Sequence, residues 1–80
     1  MQIFIRDFCT TVGKTFNIII DENTTFEEFK IMVEKKLGLP VKHQRYTFNA
    51  KPIEDCINLR EFLGEIFKEG WCNMHLYYKS

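Results

Sequence analysis

TFEEFKIMVEKKLGLP, residues 25–40, carries both ends of a helix and the face that the helix buries. Thr25 followed by Glu28 is a Thr-x-x-Glu capping box, in which each side chain satisfies a free backbone N–H at the helix start. Phe26, Phe29, Val33 and Leu37 recur at spacings of three and four, so one face packs inward while Glu27, Lys30, Glu34 and Lys35 stay in water. Gly38 suits a left-handed cap, and Pro40 prevents continuation. The spacing predicts one helix over about residues 25–37.

Outside this stretch the hydrophobic period falls to two. Met1, Ile3 and Ile5 alternate with Gln2, Phe4 and Arg6, and Phe16, Ile18 and Ile20 alternate with Thr15, Asn17 and Ile19. Each run reads as a strand with one buried face, and the two are expected to form a hairpin turning between Asp7 and Gly13. A further strand is expected from Gln44 to Phe48 with Tyr46 inward, and a last one from Trp71 to Tyr78. In that last strand Met74 and Leu76 point inward, while Asn73, His75 and Tyr77 point out. Leu59 and Phe62 are expected to cap the core, with either Ile66 or Phe67 buried in the segment that follows. Periodicity supports an α+β domain without dictating its strand order.

Eighty residues make one domain, spanning 1–80 and near the lower size at which a core holds without disulfides or metals. Acids and bases balance at eleven each, which argues against a nucleic-acid or membrane-surface binder, since both rely on a basic excess. Partners are therefore expected to be proteins, and the chain itself a monomer. The three cysteines, Cys9, Cys56 and Cys72, are odd in number and lack framework spacing, and no segment reads as a signal peptide or membrane span. Reduced thiols in the cytoplasm or nucleus are expected.

MQIFIR at the start, then GKTFNIIIDENTTFEEFK from Gly13 and GLPVKHQRYTFNAKPIED from Gly38, resemble the ubiquitin family in order and near-spacing. The resemblance runs along almost the whole chain and is closest from Met1 to Leu59. It implies a β-grasp, a mixed sheet of four to five strands packed on one helix, with Lys51-Pro52-Ile53 as a short strand. The first turn is longer than the family's, and LGEIFKEG, residues 63–70, departs from its pattern.

Chemistry of other kinds is poorly supported. Cys72 and His75 have a spacing that sometimes marks a metal site, but residues three apart on a strand face opposite ways. The expected arrangement is a buried Cys72 and an exposed His75. Cys56 with His43 or His75 offers a nucleophile and a base by type alone, with no orienting third group. Gly13-Lys14-Thr15 lacks the earlier glycine of a phosphate loop, since Phe8 stands there. No catalytic, cofactor-binding or metal residue is assigned, and no cofactor is expected.

What the resemblance does imply is a protein-binding sheet face, centred in ubiquitin on a Leu, an Ile and a Val with a His and basic residues at the rim. Arg45 and His75 match that pattern in type, Arg6 and Lys51 match basic positions, and Phe8 stands in for the Leu. Thr47 occupies the Ile position and Tyr77 the Val. Replacing an interfacial Ile by Thr removes on the order of 1.5–2 kcal/mol of apolar contact, a roughly ten- to thirty-fold loss. Tyr77 offsets this with aromatic area and a polar tip. The expectation is a retuned patch with different partners. A second face is expected from Phe4 and Ile19, outward on neighbouring strands, with Trp71 beside them.

The chain ends at Lys79-Ser80 without the Gly-Gly tail that a ubiquitin-like modifier needs for activation. The resemblance thus implies a non-catalytic, non-conjugating interaction domain, expected at the N-terminus of a larger protein. A stand-alone adaptor or mimic, or a modifier lacking its tail here, are the alternatives, with a cysteine-based enzyme more distant. Components of the ubiquitin pathway, the proteasome or chaperones, or the rest of its own chain, are the implied partners.

Overall fold

A computed structural model describes residues 1–10, 13–53 and 58–80. Five strands build one mixed sheet: β1 (Gln2–Asp7), β2 (Thr15–Ile19), β3 (Gln44–Phe48), β4 (Lys51–Pro52) and β5 (Trp71–Tyr78). Their order is β2-β1-β5-β3-β4, so the first and last strands lie side by side at the centre. β1 pairs antiparallel with β2 and parallel with β5, while β3 runs antiparallel to β5. This order is the part that alternation alone does not dictate.

Helix α1 (Phe26–Leu37) crosses the inner face of the sheet. Its capping box is complete: the Glu28 N–H donates to Thr25 Oγ1, and the Thr25 N–H to Glu28 Oε1, each at 3.0 Å. At the other end Gly38 adopts φ 78°, a left-handed conformation natural to glycine, and its N–H donates to the Glu34 carbonyl at 2.7 Å. Phe26, Phe29 and Val33 are buried against Ile3, Ile5, Ile18, Met74 and Leu76, and Leu37 closes the stripe half-buried. Burying a side chain of this size is worth about 1.5–3 kcal/mol, so this stripe, rather than helix propensity, holds α1 in place.

Tyr46 is the largest fully buried side chain, with its ring edge-on to Phe29 at 5.1 Å and to Phe26 at 5.8 Å. Its hydroxyl donates to Gln44 Oε1 at 2.7 Å, and Gln44 Nε2 donates to the Lys30 and Leu39 carbonyls, both at 2.9 Å. A buried phenol and a buried amide thereby satisfy each other and tie β3 to the end of α1.

A short helix α2 (Leu59–Leu63) is capped by Asn58, whose side-chain oxygen accepts from the N–H groups of Arg60 and Glu61. Leu59 and Leu63 are buried; Phe62 is half-buried, edge-on to Phe48 at 6.1 Å. The expectation that Ile66 or Phe67 supplies the buried side chain is corrected here, because both are half-buried and Leu63 fills that place. Leu59 and Leu63 share a face at i and i+4, after which the chain tightens into a 3-10 turn over Gly64–Glu69 that lifts the later residues towards solvent.

Candidate protein-binding face

Strand alternation divides the sheet into an inner face against α1 and an outer face in water. β1 turns Phe4 and Arg6 outward, β2 turns Ile19 outward, β3 turns Arg45 and Thr47 outward, and β5 turns Trp71, Asn73, His75 and Tyr77 outward. Across the ladder Arg6 stands opposite His75, Thr47 opposite His75, and Arg45 opposite Tyr77. Cys72, three residues before His75, lies under the sheet.

Phe8 joins this face through the hairpin loop. Its N–H donates to the Leu76 carbonyl at 3.0 Å, which extends the ladder beyond β1 and sets the ring over β5. There it stacks on Tyr77 (5.3 Å between centroids, 11° between planes) and meets the edge of His75 at 5.3 Å. The Arg6 guanidinium lies 5.8 Å from the Phe8 ring centre. Four of the expected main-patch residues, Arg6, Phe8, His75 and Tyr77, thus form one cluster, with Thr47 and Arg45 on the adjoining strand. Lys51 stands apart: it pairs with Phe48, one register from Thr47, at the far end of the sheet.

The loop is held from below by a residue that the sequence reading did not single out. Asp7 is only 1% exposed, and its Oδ1 accepts from the N–H groups of Cys9 (2.8 Å) and Thr10 (2.9 Å). The Thr10 hydroxyl donates to Oδ2. The Gly13 N–H donates to the Asp7 carbonyl at 2.8 Å, with Gly13 at φ 85°. An Asp followed three residues later by Thr, between a strand and a glycine, is the sequence signal for such a turn.

Of the second group, Phe4 and Trp71 touch edge to face at 6.4 Å. Ile19 is 70% exposed and lies in the same row, separated from Trp71 by Gln2 on the intervening strand. Between the two aromatic groups lies an open hollow of about 290 Å³ lined by Phe4, Arg6, Thr15, Asn73, Met74 and His75.

A model of the ubiquitin family matches residues 3–63. The chain belongs to the ubiquitin family. The five-stranded mixed sheet with its one long helix is this family's β-grasp, and in this ubiquitin-family domain the outer sheet face carries Thr47 and Tyr77 where the sequence resemblance sets an Ile and a Val.

The two described thiols of this ubiquitin-family domain are poorly suited to nucleophilic chemistry. Burial raises the Cys9 thiol to about 11, with the hydrogen bond and negative charge of Asp7 adding to it, and burial alone raises Cys72 to about 11. Both are protonated near neutrality, and the thiolate is the reactive form. Cys56, the other nucleophile considered, lies outside the described residues. His43 stacks on Tyr78 at 4.9 Å, and its Nδ1 lies 2.9 Å from the Lys79 carbonyl oxygen. Among the described residues no group of three or more His, Cys, Asp or Glu is placed to hold a metal ion. No helix among them is long and apolar enough to cross a membrane.

Proposed function

We propose that this ubiquitin-family domain is a non-catalytic protein-interaction module whose main contact is the patch built by Arg6, Phe8, Arg45, Thr47, His75 and Tyr77. The observation that carries the reading is the Phe8–Tyr77–His75 cluster on the outer strand face. Aromatic rings held by one another present apolar area that is already ordered, so little side-chain entropy is lost on binding. Lys51 belongs to the rim of that face, and Phe4, Ile19 and Trp71 form a second contact area. The partners are proteins, drawn from ubiquitin-pathway, proteasomal or chaperone components. A buried and a half-buried thiol, both protonated, and open surface hollows support a binding role over a cysteine-based enzyme.

The patch is retuned rather than shared with ubiquitin. Isothermal titration with a panel of ubiquitin-binding domains tests this, with ubiquitin as the reference. Binding weaker by roughly ten- to thirty-fold is expected, from the loss of one interfacial Ile, and Thr47→Ile is expected to recover part of it. Binding of several such receptors as tightly as ubiquitin binds them would refute the reading.

A further inference from the structure

The hollow between the two aromatic groups has a chemistry of its own. Arg6, His75, Asn73 and Thr15 bring hydrogen-bond donors to it, Phe4 forms an apolar wall, and none of its lining residues is acidic. Among the described residues no carboxylate is ion-paired with Arg6, whose recorded partner is the Phe8 ring. Across the wider face, the side chains that β1, β2, β3 and β5 turn outward include Arg6 and Arg45 and no acid. Although the chain is neutral as a whole, its described carboxylates sit elsewhere: Asp7 under the sheet, and the others in the helices, the turns and the loops. Glu69 lines a separate hollow together with Trp71 and Asn73.

Resting on the interaction reading above, we infer that this hollow receives the carboxylate of an Asp or Glu in a partner protein segment, with apolar neighbours of that residue lying on Phe8/Tyr77 and on Phe4/Trp71. Guanidinium and carboxylate are matched in charge and in planar geometry. One guanidinium flanked by one imidazole and neutral donors suits a single carboxylate, whereas a nucleic-acid strand calls for a row of cations. Tyr77 and Trp71 lie six residues apart on one strand, roughly 20 Å, which an extended segment of about seven residues spans. The acid is the central anchor, and Glu69 keeps it from shifting towards the Trp71 end.

A random twelve-residue peptide library displayed on phage and selected on the 80-residue domain tests this. The enriched peptides are expected to carry an Asp or Glu flanked on both sides by apolar residues. A synthetic peptide of the enriched sequence should lose about ten-fold or more in affinity when Arg6→Gln is introduced, and as much when its own acid is made an amide. Combining the two should add little, and Lys35→Gln on the far helix should change nothing. Enriched peptides without an acid, or an Arg6→Gln effect below two-fold, overturn the inference. If those peptides still lose binding on Tyr77→Ala, the patch reading stands while this one falls; no enrichment at all overturns both. Binding of a twenty-nucleotide oligouridine with the same Arg6 dependence, where acidic peptides fail, assigns the hollow to phosphate and also overturns it.

Discussion

Removing the Asp7 carboxylate is the most direct challenge to the way the loop that carries Phe8 is held. In the folded chain that buried group accepts from two backbone N–H groups at 2.8 and 2.9 Å and from the Thr10 hydroxyl. A hydrogen bond to a charged acceptor contributes about 1.5–3 kcal/mol, but these share one carboxylate and their donors lie near the surface, where water partly replaces the lost acceptor. For Asp7→Ala we therefore expect a loss of about 3 kcal/mol, well below three separate bonds. In a domain of this size that corresponds to roughly 12–24 °C in Tm. Asp7→Asn keeps the shape and one acceptor oxygen, so about 1 kcal/mol is expected. Urea unfolding at constant m-value measures both changes, and nitrogen–proton NMR of the folded variants should show the largest shifts at Phe8, Cys9 and Thr10. The reasoning fails if Asp7→Ala lies within about 0.5 kcal/mol of the parent, or if Asp7→Asn is as damaging as Asp7→Ala.

Three further outcomes follow from the described contacts. Thr25→Ala removes the arm of the capping box in which Thr25 Oγ1 accepts from the Glu28 N–H, keeps the backbone arm to Glu28 Oε1, and should cost about 1 kcal/mol in urea unfolding, with Thr25→Ser nearly neutral; a neutral alanine variant would show that the side-chain cap contributes nothing. Tyr46→Phe leaves Gln44 Oε1 buried without its donor and should cost about 1–3 kcal/mol despite the conserved ring; a smaller loss than 0.5 kcal/mol would mean that about one water or a rotated amide satisfies the oxygen. Cys72 sits at about 11 against an ordinary 9.0, so the unfolded chain releases its thiol proton first. Its contribution is intact below pH 9 and is lost as pH rises towards 11, so Cys72→Ala should flatten the fall in stability across that window; parallel curves for the two proteins would contradict it.

The helix was legible because its signals are local: Thr25 and Glu28 are three residues apart, and the Phe26–Phe29–Val33 stripe is read within one window. The alternating strands were legible for the same reason, down to which side chains of β5 face outward. Strand order was not, because parallel pairing of Gln2–Asp7 with Trp71–Tyr78 joins segments nearly seventy residues apart and leaves no periodic trace in either. Residues 63–70 failed at the finer level, since the switch from α2 to a 3-10 turn at Gly64 changes which residue faces in, and spacing alone does not reveal where the pitch changes. At the site, residue types suggested Phe8, His75 and Tyr77, but stacking depends on a loop whose course is set by Asp7. A buried aspartate is hard to anticipate, because this residue type is mostly exposed.

Asp7 and Phe8 are consecutive, so alternation sends one beneath the sheet and the other onto its outer face. The end of β1 is therefore a point where the core and the outer face share one backbone, and stability and any binding through Phe8 must respond to mutation together. If the Asp7 turn serves only to hold Phe8 over Tyr77, its loss leaves the bound geometry intact and lowers the fraction of molecules in which that geometry exists. Apparent affinity then falls by the reciprocal of that fraction, by the same factor for every ligand that covers Phe8. A ligand confined to Phe4 and Trp71 should be unaffected. Comparing two such ligands on folded Asp7→Ala separates the alternatives: a uniform loss among Phe8-dependent peptides supports pre-organisation by the turn, whereas losses that differ from peptide to peptide would mean that Asp7 reshapes the patch itself.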